Sequence, residues 1–147
     1  MAEFKGRVIN PGYYKGEAVV SHQGVNTLAT FQKSALSNAK NVIVADQNNP
    51  DIYGKNITKK ALCLPKTIGS TTGGMVLQVI CSMGINPSCL LFSEKIDSLA
   101  AAGVILSVVW EGSDIIAIDD LGEEFLNTVK TGDTIEVKED GSVVVEP

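Results

Sequence analysis

The sequence predicts an α/β fold with a mixed sheet that is parallel in its middle and antiparallel at its ends. Three observations lead to this prediction. Short apolar segments alternate with helical patterns in the middle of the chain, strand patterns joined by tight turns occupy both ends, and no linker or repeat divides the 147 residues. Alternating strands and helices give parallel strands with right-handed crossovers, whereas hairpins give antiparallel pairs. We therefore expect one domain over residues 1–147.

The composition fits a folded protein and excludes several classes of function. Hydrophobic residues make up 44% of the chain and charged residues 20%, which is the balance of a globular domain. The net charge is −5 and Arg7 is the single arginine, so nucleic acid is not expected as a partner. No apolar run approaches the ~20 residues that a membrane helix needs, and the first residues predict no signal peptide. Three cysteines, an odd number, suit a reducing compartment. The sequence thus predicts a cytoplasmic protein.

In the first part of the chain, strand patterns surround a region that is harder to interpret. Residues 4–9 form a strand pattern, followed by an Asn-Pro-Gly turn at 10–12 and a second strand at 14–20. Residues 22–40 predict a loop with one short helix, because Gly, Asn, Ser and Thr dilute the helical spacing of the apolar residues. Residues 42–45 form a short apolar strand pattern, and 46–51 a dense turn cluster.

The second part of the chain alternates between strand and helix patterns. The predicted strands are 61–64, 89–92 and 115–118, and the terminal hairpin pairs 134–137 with 143–145. One helix covers the apolar positions from 75 to 83 and ends at Gly84. A second helix begins after Asp97 or Ser98. Its last residue is not predicted, because residues 104–110 contain enough β-branched side chains to form a strand. A short third helix covers 121–129.

The most informative segment lies between a strand and a helix and reads Gly-Ser-Thr-Thr-Gly-Gly at 69–74. The start of a helix carries unpaired N–H groups and the positive end of the helix dipole, so it attracts carboxylate or phosphate. Glycines let the backbone approach a ligand, and hydroxyls add donors. The alternative interpretation is structural: Ser70, Thr71 or Thr72 caps the helix, and the glycines serve the turn. The residues alone favour the structural interpretation.

Other residues that could carry chemistry are better explained structurally. Cys63, Cys81 and Cys89 lack the spacing of an iron–sulfur ligand run and lie in apolar segments, so we expect them in the core and predict no metal site. His22 is the single histidine, and no orienting acid is evident for it. The oxygen-rich cluster at 46–51 is expected to form turns. The acidic side chains near the last helix are expected to face water, and they are Asp119, Asp120, Glu123 and Glu124.

Short motifs follow one another in a recognisable order over nearly the whole chain. They are Gly-Arg at 6–7, Gly-Glu-Ala-Val-Val at 16–20, Tyr-Gly-Lys at 53–55, Leu-Cys-Leu-Pro at 62–65, Gly-Ser at 69–70, Asn-Pro-Ser-Cys-Leu-Leu at 86–91, Ile-Asp-Ser-Leu-Ala-Ala-Ala-Gly at 96–103 and Thr-Gly-Asp-Thr-Ile-Glu-Val at 131–137. Each motif is only moderately specific, but their order and spacing resemble the small subunit, or swivel domain, of the aconitase X family.

This resemblance implies a swivelling β/β/α domain and a hydro-lyase. Family members of known activity dehydrate phosphomevalonate or cis-3-hydroxy-L-proline, and both substrates are hydroxylated carboxylates. The resemblance implies that a large subunit holds an iron–sulfur cluster and that this chain binds no cofactor itself. It also implies that Ser70 is the catalytic base, in a loop that contacts substrate through Gly69, Thr71, Thr72 and Gly73. The chain alone is then expected to be inactive.

The segment 22–52 departs from the family pattern. Family members usually carry Phe-Gly-Gly-Val-Asp and a later His-Pro there, whereas this chain has Val-Asn-Thr-Leu-Ala-Thr-Phe-Gln-Lys at 25–33 and Asn-Asn-Pro-Asp at 48–51. The Leu-Pro-Lys-Thr-Ile-Gly-Ser form at 64–70 is more similar to the hydroxyproline enzymes. One other function remains open, a non-catalytic binding or regulatory module on the same fold. A phosphohistidine carrier using His22 is not favoured, because the glycine-rich loop expected around that histidine is missing.

Overall fold

Ten strands and four helices follow one another in residues 1–69 and 73–146, the part of the chain that the computed structural model describes. The strands are β1 (Ala2–Lys5), β2 (Arg7–Asn10), β3 (Tyr14–Val20), β4 (Val25–Asn26), β5 (Ala61–Leu64), β6 (Thr67–Ile68), β7 (Cys89–Phe92), β8 (Ile116–Asp119), β9 (Thr134–Val137) and β10 (Ser142–Glu146). The helices are α1 (Thr27–Leu36), α2 (Gly73–Ser82), α3 (Ser98–Glu111) and α4 (Glu123–Thr128). Within these described ranges, no helix is long and apolar enough to cross a bilayer.

Eight of the strands form one mixed sheet in the order β1-β10-β9-β3-β5-β7-β8-β2. Strand β3 belongs to two halves of this sheet. Its first residues, 14–17, pair antiparallel with β9, and its last residues, 18–20, pair parallel with β5. Strands β5, β7 and β8 continue the parallel half, while β9, β10 and β1 continue the antiparallel half. The predicted parallel middle and antiparallel ends are therefore confirmed.

The two edge strands of this sheet are consecutive in sequence. Only Gly6 separates β1, at one edge, from β2, at the other, so the sheet must curl until its edges meet. A Cβ on Gly6 would lie 2.4 Å from the Asp119 carbonyl oxygen, which leaves room for glycine alone. The Gly6 amide also donates to the Gly141 carbonyl over 3.1 Å. The sequence predicted a single strand at 4–9, whereas the structure divides it at this corner.

The sheet separates two hydrophobic cores. The central parallel strands are buried on both faces, and their side chains alternate: in β5, Leu62 and Leu64 face one core, and Ala61 and Cys63 face the other. Helices α1, α2 and α3 cover the first core, and α4 supplies Phe125 to the second. The candidate functional site lies in the helical layer that covers the first core.

Three element predictions need correction or completion. The predicted strand at 42–45 is wrong: Val42 and Val44 are buried, but they bond to the 54–57 segment with one isolated bridge, Ile43 to Asn56, instead of joining the sheet. Residues 22–40 contain the ten-residue helix α1. Residues 104–110 belong to α3, because packing against α2 outweighs the β propensity of their valines and isoleucine.

Candidate functional site

The predicted loop starts at the edge where the parallel strands end. In open sheets and in closed parallel barrels alike, ligands bind beyond the carboxyl ends of the parallel strands. Strand β5 ends at Leu64, the two-residue strand β6 follows, and Gly69 leads to α2, which begins at Gly73. Ser70, Thr71 and Thr72 lie outside the described residues, so the roles expected of these three side chains stay predictions.

Gly69 has a backbone conformation that favours glycine. Its φ is +107°, and an added Cβ would lie 2.7 Å from Oδ1 of Asn26. Asn26 is the N-cap of α1 and accepts a hydrogen bond from the Ala29 amide over 3.0 Å. This contact was not predicted from the sequence, although an asparagine followed by Thr-Leu-Ala is a helix-start signal.

On the other side, Thr67 is bonded to the start of α3. Its hydroxyl donates to Oδ1 of Asp97 over 2.6 Å, and its amide donates to the same oxygen over 3.3 Å. The other carboxylate oxygen, Oδ2, accepts from the Ala100 amide over 3.0 Å. Asp97 is therefore the N-cap of α3, which resolves the predicted choice between Asp97 and Ser98. The bond between Asp97 and its second partner, Thr67, could not be predicted from local sequence patterns, because the two residues are 30 positions apart.

The described residues at the two ends of the loop thus lie at the N-termini of three helices. Gly69 contacts the cap of α1, Thr67 bonds the cap of α3, and α2 begins at Gly73. Helices α2 and α3 approach closely, since a Cβ on Gly103 would lie 3.0 Å from the Cα of Gly74. None of the three helices has an acidic residue in its first turn. The Asp97 carboxylate already caps α3 and the Asn26 side chain caps α1. The dipole of α2 is therefore the one that favours an anion at this position.

The three cysteines are buried, as predicted. Burial raises the pKa of Cys63, Cys89 and Cys81, so they remain protonated thiols at neutral pH. A cluster needs thiolates, and within residues 1–69 and 73–146 no group of three His, Cys, Asp or Glu side chains could hold a metal ion. These cysteines do not fit an iron–sulfur cluster.

His22 lies on an exposed loop at the same sheet edge and has the acidic neighbour that the sequence did not reveal. Its Nδ1 is 3.3 Å from Oδ2 of Asp51, and the same oxygen accepts the His22 amide over 2.8 Å. A cavity of about 470 Å³ adjoins it, with a lining of His22, Pro65, Ser93, Glu94, Glu123, Leu126 and Asn127. Asp51 comes from the 46–51 turn, whose Asp46 also accepts a local bond from the Asn48 amide, as expected of a turn cluster.

One prediction about the acidic residues is wrong. Asp119 does not face water: its side chain is fully buried and is bonded to Arg7 and to the Ile96 amide. Asp119 is the last residue of β8, which lies next to the edge strand β2, and its side chain is inside the fold. The guanidinium of Arg7 compensates its charge. Asp120, Glu123 and Glu124 are exposed, as expected.

The comparisons with known proteins agree with this architecture. Residues 3–145 match the family model of the aconitase X swivel domain. The chain is 30% identical over 105 residues to the phosphomevalonate dehydratase small subunit of Pyrococcus furiosus, covering 71% of this chain and 72% of the relative. It is 26% identical over 142 residues to the small subunit of the same name from Archaeoglobus fulgidus, covering 97% and 96%. These relatives are subunits of a hydro-lyase.

Two solved structures share the fold over almost the full length. The crystal structure of Thermococcus kodakaraensis aconitase X (holo-form) superposes with a TM-score of 0.82 at 26% identity and covers 100% of both chains. The solution NMR structure of a UPF0107 protein superposes with a TM-score of 0.78 at 25% identity and covers 99% of this chain and 100% of the other. The mixed sheet and the resemblance expected from the sequence are thereby confirmed, and the chain belongs to the aconitase X swivel domain family.

Proposed function

We propose that this chain, acting as one domain, is the small subunit of a heteromeric dehydratase that removes water from a hydroxylated carboxylate. The family match over residues 3–145 and the names of the relatives support this proposal. The large subunit would hold an iron–sulfur cluster, which supplies a Lewis acid for the leaving hydroxyl. The burial of the three cysteines of this chain is consistent with a cluster held elsewhere.

The observation that carries the proposal is that the residues on either side of positions 70–72, Gly69 and Gly73, lie at helix N-termini. Ser70 is proposed as the base that takes the proton from the carbon beside the substrate carboxylate. A serine hydroxyl is a poor base unless its anion is stabilised. The first-turn N–H groups of α2, which begins three residues later at Gly73, have no partners within the helix and would stabilise that anion.

The rest of the loop is proposed to bind the substrate. Gly69, Thr71, Thr72 and Gly73 would contribute backbone N–H groups and hydroxyls to a carboxylate or phosphate. The left-handed conformation of Gly69 turns the chain between β6 and the loop without a side chain in the way. Binding close to helix N-termini suits a substrate with more than one negative charge.

The surface beside the loop is apolar and is proposed to contact the large subunit. Ile68 and Met75, which precede and follow the loop, expose 48% and 64% of their surface. Helix α2, Gly73–Ser82, contains no charged residue. If Ser70 is to reach a substrate bound on the large subunit, these flanking side chains must come close to that subunit. Their apolar character suits such a contact.

The test is reconstitution with the cognate large subunit and an intact cluster. Phosphomevalonate is the first substrate to assay, because the curated relatives are named for it, and cis-3-hydroxy-L-proline is the second. We expect dehydration of one of them, and loss of activity in Ser70→Ala. Ser82→Ala is the matched control, because Ser82 is exposed at the opposite end of α2. Full activity in Ser70→Ala would remove Ser70 from the mechanism, and failure to associate with the large subunit would favour a non-catalytic module.

A further inference from the structure

The start of the loop is held by side chains whose usual role is to cap helices. We propose that Asp97 is a positioning residue, which binds Thr67 and thereby fixes Gly69, where the loop begins. This inference rests on the proposed function, because it assigns Asp97 a role in placing that loop for dehydration. Thr67 and Asp97 are not among the residues proposed above to bind the substrate.

The geometry of Asp97 exceeds what a helix cap requires. Oδ2 alone performs the capping by accepting the Ala100 amide over 3.0 Å. Oδ1 accepts both the hydroxyl of Thr67 over 2.6 Å and its amide over 3.3 Å. Two donors from one residue fix both the position of that residue and the orientation of its peptide. A charged acceptor makes such bonds about twice as strong as neutral ones.

Asp97 is itself held to the sheet through its neighbour. The Ile96 amide donates to Oδ2 of Asp119 over 2.7 Å, and the buried Asp119 is bonded in turn to Arg7. Strand β8 therefore fixes residue 96, residue 97 fixes Thr67, and Thr67 lies two residues before Gly69. The support of the loop thus begins at the fully buried side chain of Asp119.

The backbone alone holds this segment weakly. Among the described residues, the two-residue strand β6 pairs with the two-residue strand β4, and the Lys66 carbonyl adds one bond from the Val25 amide. The further contacts of this segment are those of Ile68 with Gly24 and of Gly69 with the Asn26 cap. Because so few backbone hydrogen bonds join β6 to its neighbour, the two bonds from Thr67 to the Asp97 carboxylate must supply much of the rigidity.

Rigidity at this point has a direct chemical consequence. A displacement of about 1 Å in a reacting group can reduce a rate about 100-fold. The Asp97–Thr67 bond therefore controls how well the loop is preorganised, while substrate affinity, which depends on several groups, should change less.

The experiment compares Thr67→Val with Thr67→Ser. Valine has the shape of threonine but cannot donate through its side chain, and the cap of α3 stays intact because Asp97 is unchanged. Thr128→Val is the control for the substitution itself, since the Thr128 hydroxyl bonds the Glu124 carbonyl within α4, a helix that packs on the second core and not with α1, α2 and α3 on the first. Two properties are measured: hydrogen exchange at the amides of Gly69 and Gly73 in the isolated chain, and kcat and KM of the reconstituted enzyme.

We expect Thr67→Val to raise the exchange rates at least tenfold and to lower kcat between about 10-fold and 100-fold with little change in KM. Thr67→Ser should restore both, and Thr128→Val should change neither. Unchanged exchange in Thr67→Val overturns the inference, whatever the activity. Raised exchange together with full activity overturns its catalytic part. Full activity in Ser70→Ala would instead refute the proposed base, while the exchange data would still decide whether Asp97 positions the loop.

Discussion

Arg7 donates two hydrogen bonds to the carboxylate of Asp119, from Nε over 2.9 Å and from Nη2 over 2.6 Å. The Asp119 side chain is completely buried, whereas that of Arg7 is 58% exposed. Burial by itself raises the pKa of Asp119, but the hydrogen bonds from Arg7 and from the Ile96 amide, with the charge of Arg7, outweigh it and lower the pKa. The pair joins β2 to β8 at one edge of the sheet and ends beside the segment that supports the loop.

Replacing Asp119 should therefore destabilise the protein in a pH-dependent way. The folded pKa is below the unfolded value, so the stabilisation is complete above about pH 4 and is lost as the pH falls through the folded pKa. We expect Asp119→Asn to lower the free energy of unfolding by about 1–3 kcal/mol at pH 7. Urea unfolding of both proteins at pH 7 and near pH 3 checks this. A difference that stays constant with pH would contradict it.

The architecture could be predicted because the signals for it are local. Runs of apolar residues at 61–64, 89–92 and 115–118, turn residues between them and the terminal hairpin each indicate their own structure, and together they predict a mixed sheet. The closure at Gly6 could not be predicted in this way. It depends on which strands become the two edges of the sheet, and only the complete topology decides that.

The candidate site was predictable only in part, for the same reason. The loop was evident because glycines and hydroxyl residues stand between a strand and a helix pattern. Its supports, Asn26 and the bond from Thr67 to Asp97, join elements that are distant in sequence. Asp119 was expected in water because it belongs to an acidic run, and only pairing with β2 brings Arg7 to it.

A methyl group at residue 69 should damage the site more than the fold. Gly69→Ala forces a non-glycine residue to φ +107° and brings Cβ to 2.7 Å from Asn26. We expect the reconstituted enzyme to lose activity about 100-fold or more, because the loop must shift. Gly84→Ala is the control: Gly84 also has a positive φ, +72°, but has open space around the added Cβ and lies beyond the opposite end of α2. Equal losses of activity in the two variants would contradict a specific role for Gly69.

Charge beside the loop should weaken assembly with the large subunit. Met75 is 64% exposed on the first turn of α2, so Met75→Glu places a carboxylate at the proposed contact, where desolvating it is costly. We expect at least a tenfold rise in the dissociation constant, measured by titration calorimetry. Val109→Glu is the control, because Val109 is 71% exposed near the far end of α3. It lies about 16 Å along the axis from the start of that helix. An equal loss in both variants would contradict the proposed surface.

The thiols should be unreactive in the folded protein. Cys63, Cys81 and Cys89 are buried, and burial raises the pKa of each. Because the thiolate is the reactive form, alkylation by iodoacetamide at pH 8 should be slow in buffer and fast in 8 M urea. Mass spectrometry counts the modified cysteines. Rapid labelling of Cys63 or Cys89 without denaturant would show that the second core is open to solvent.

The close contact between α2 and α3 should tolerate no larger side chain at residue 103. A Cβ on Gly103 would lie 3.0 Å from both the Cα and the carbonyl oxygen of Gly74, which are backbone atoms near the start of α2. Gly103→Val must therefore separate the helices, and we expect the free energy of unfolding to fall by about 1–3 kcal/mol. Ala102→Val is the control, because it introduces the same β-branched side chain one position away, where residue 102 is exposed. Because α2 begins at Gly73, its displacement should also lower the activity of the reconstituted enzyme. If Gly103→Val proves as stable and as active as Ala102→Val, the spacing of these two helices does not determine where the loop lies.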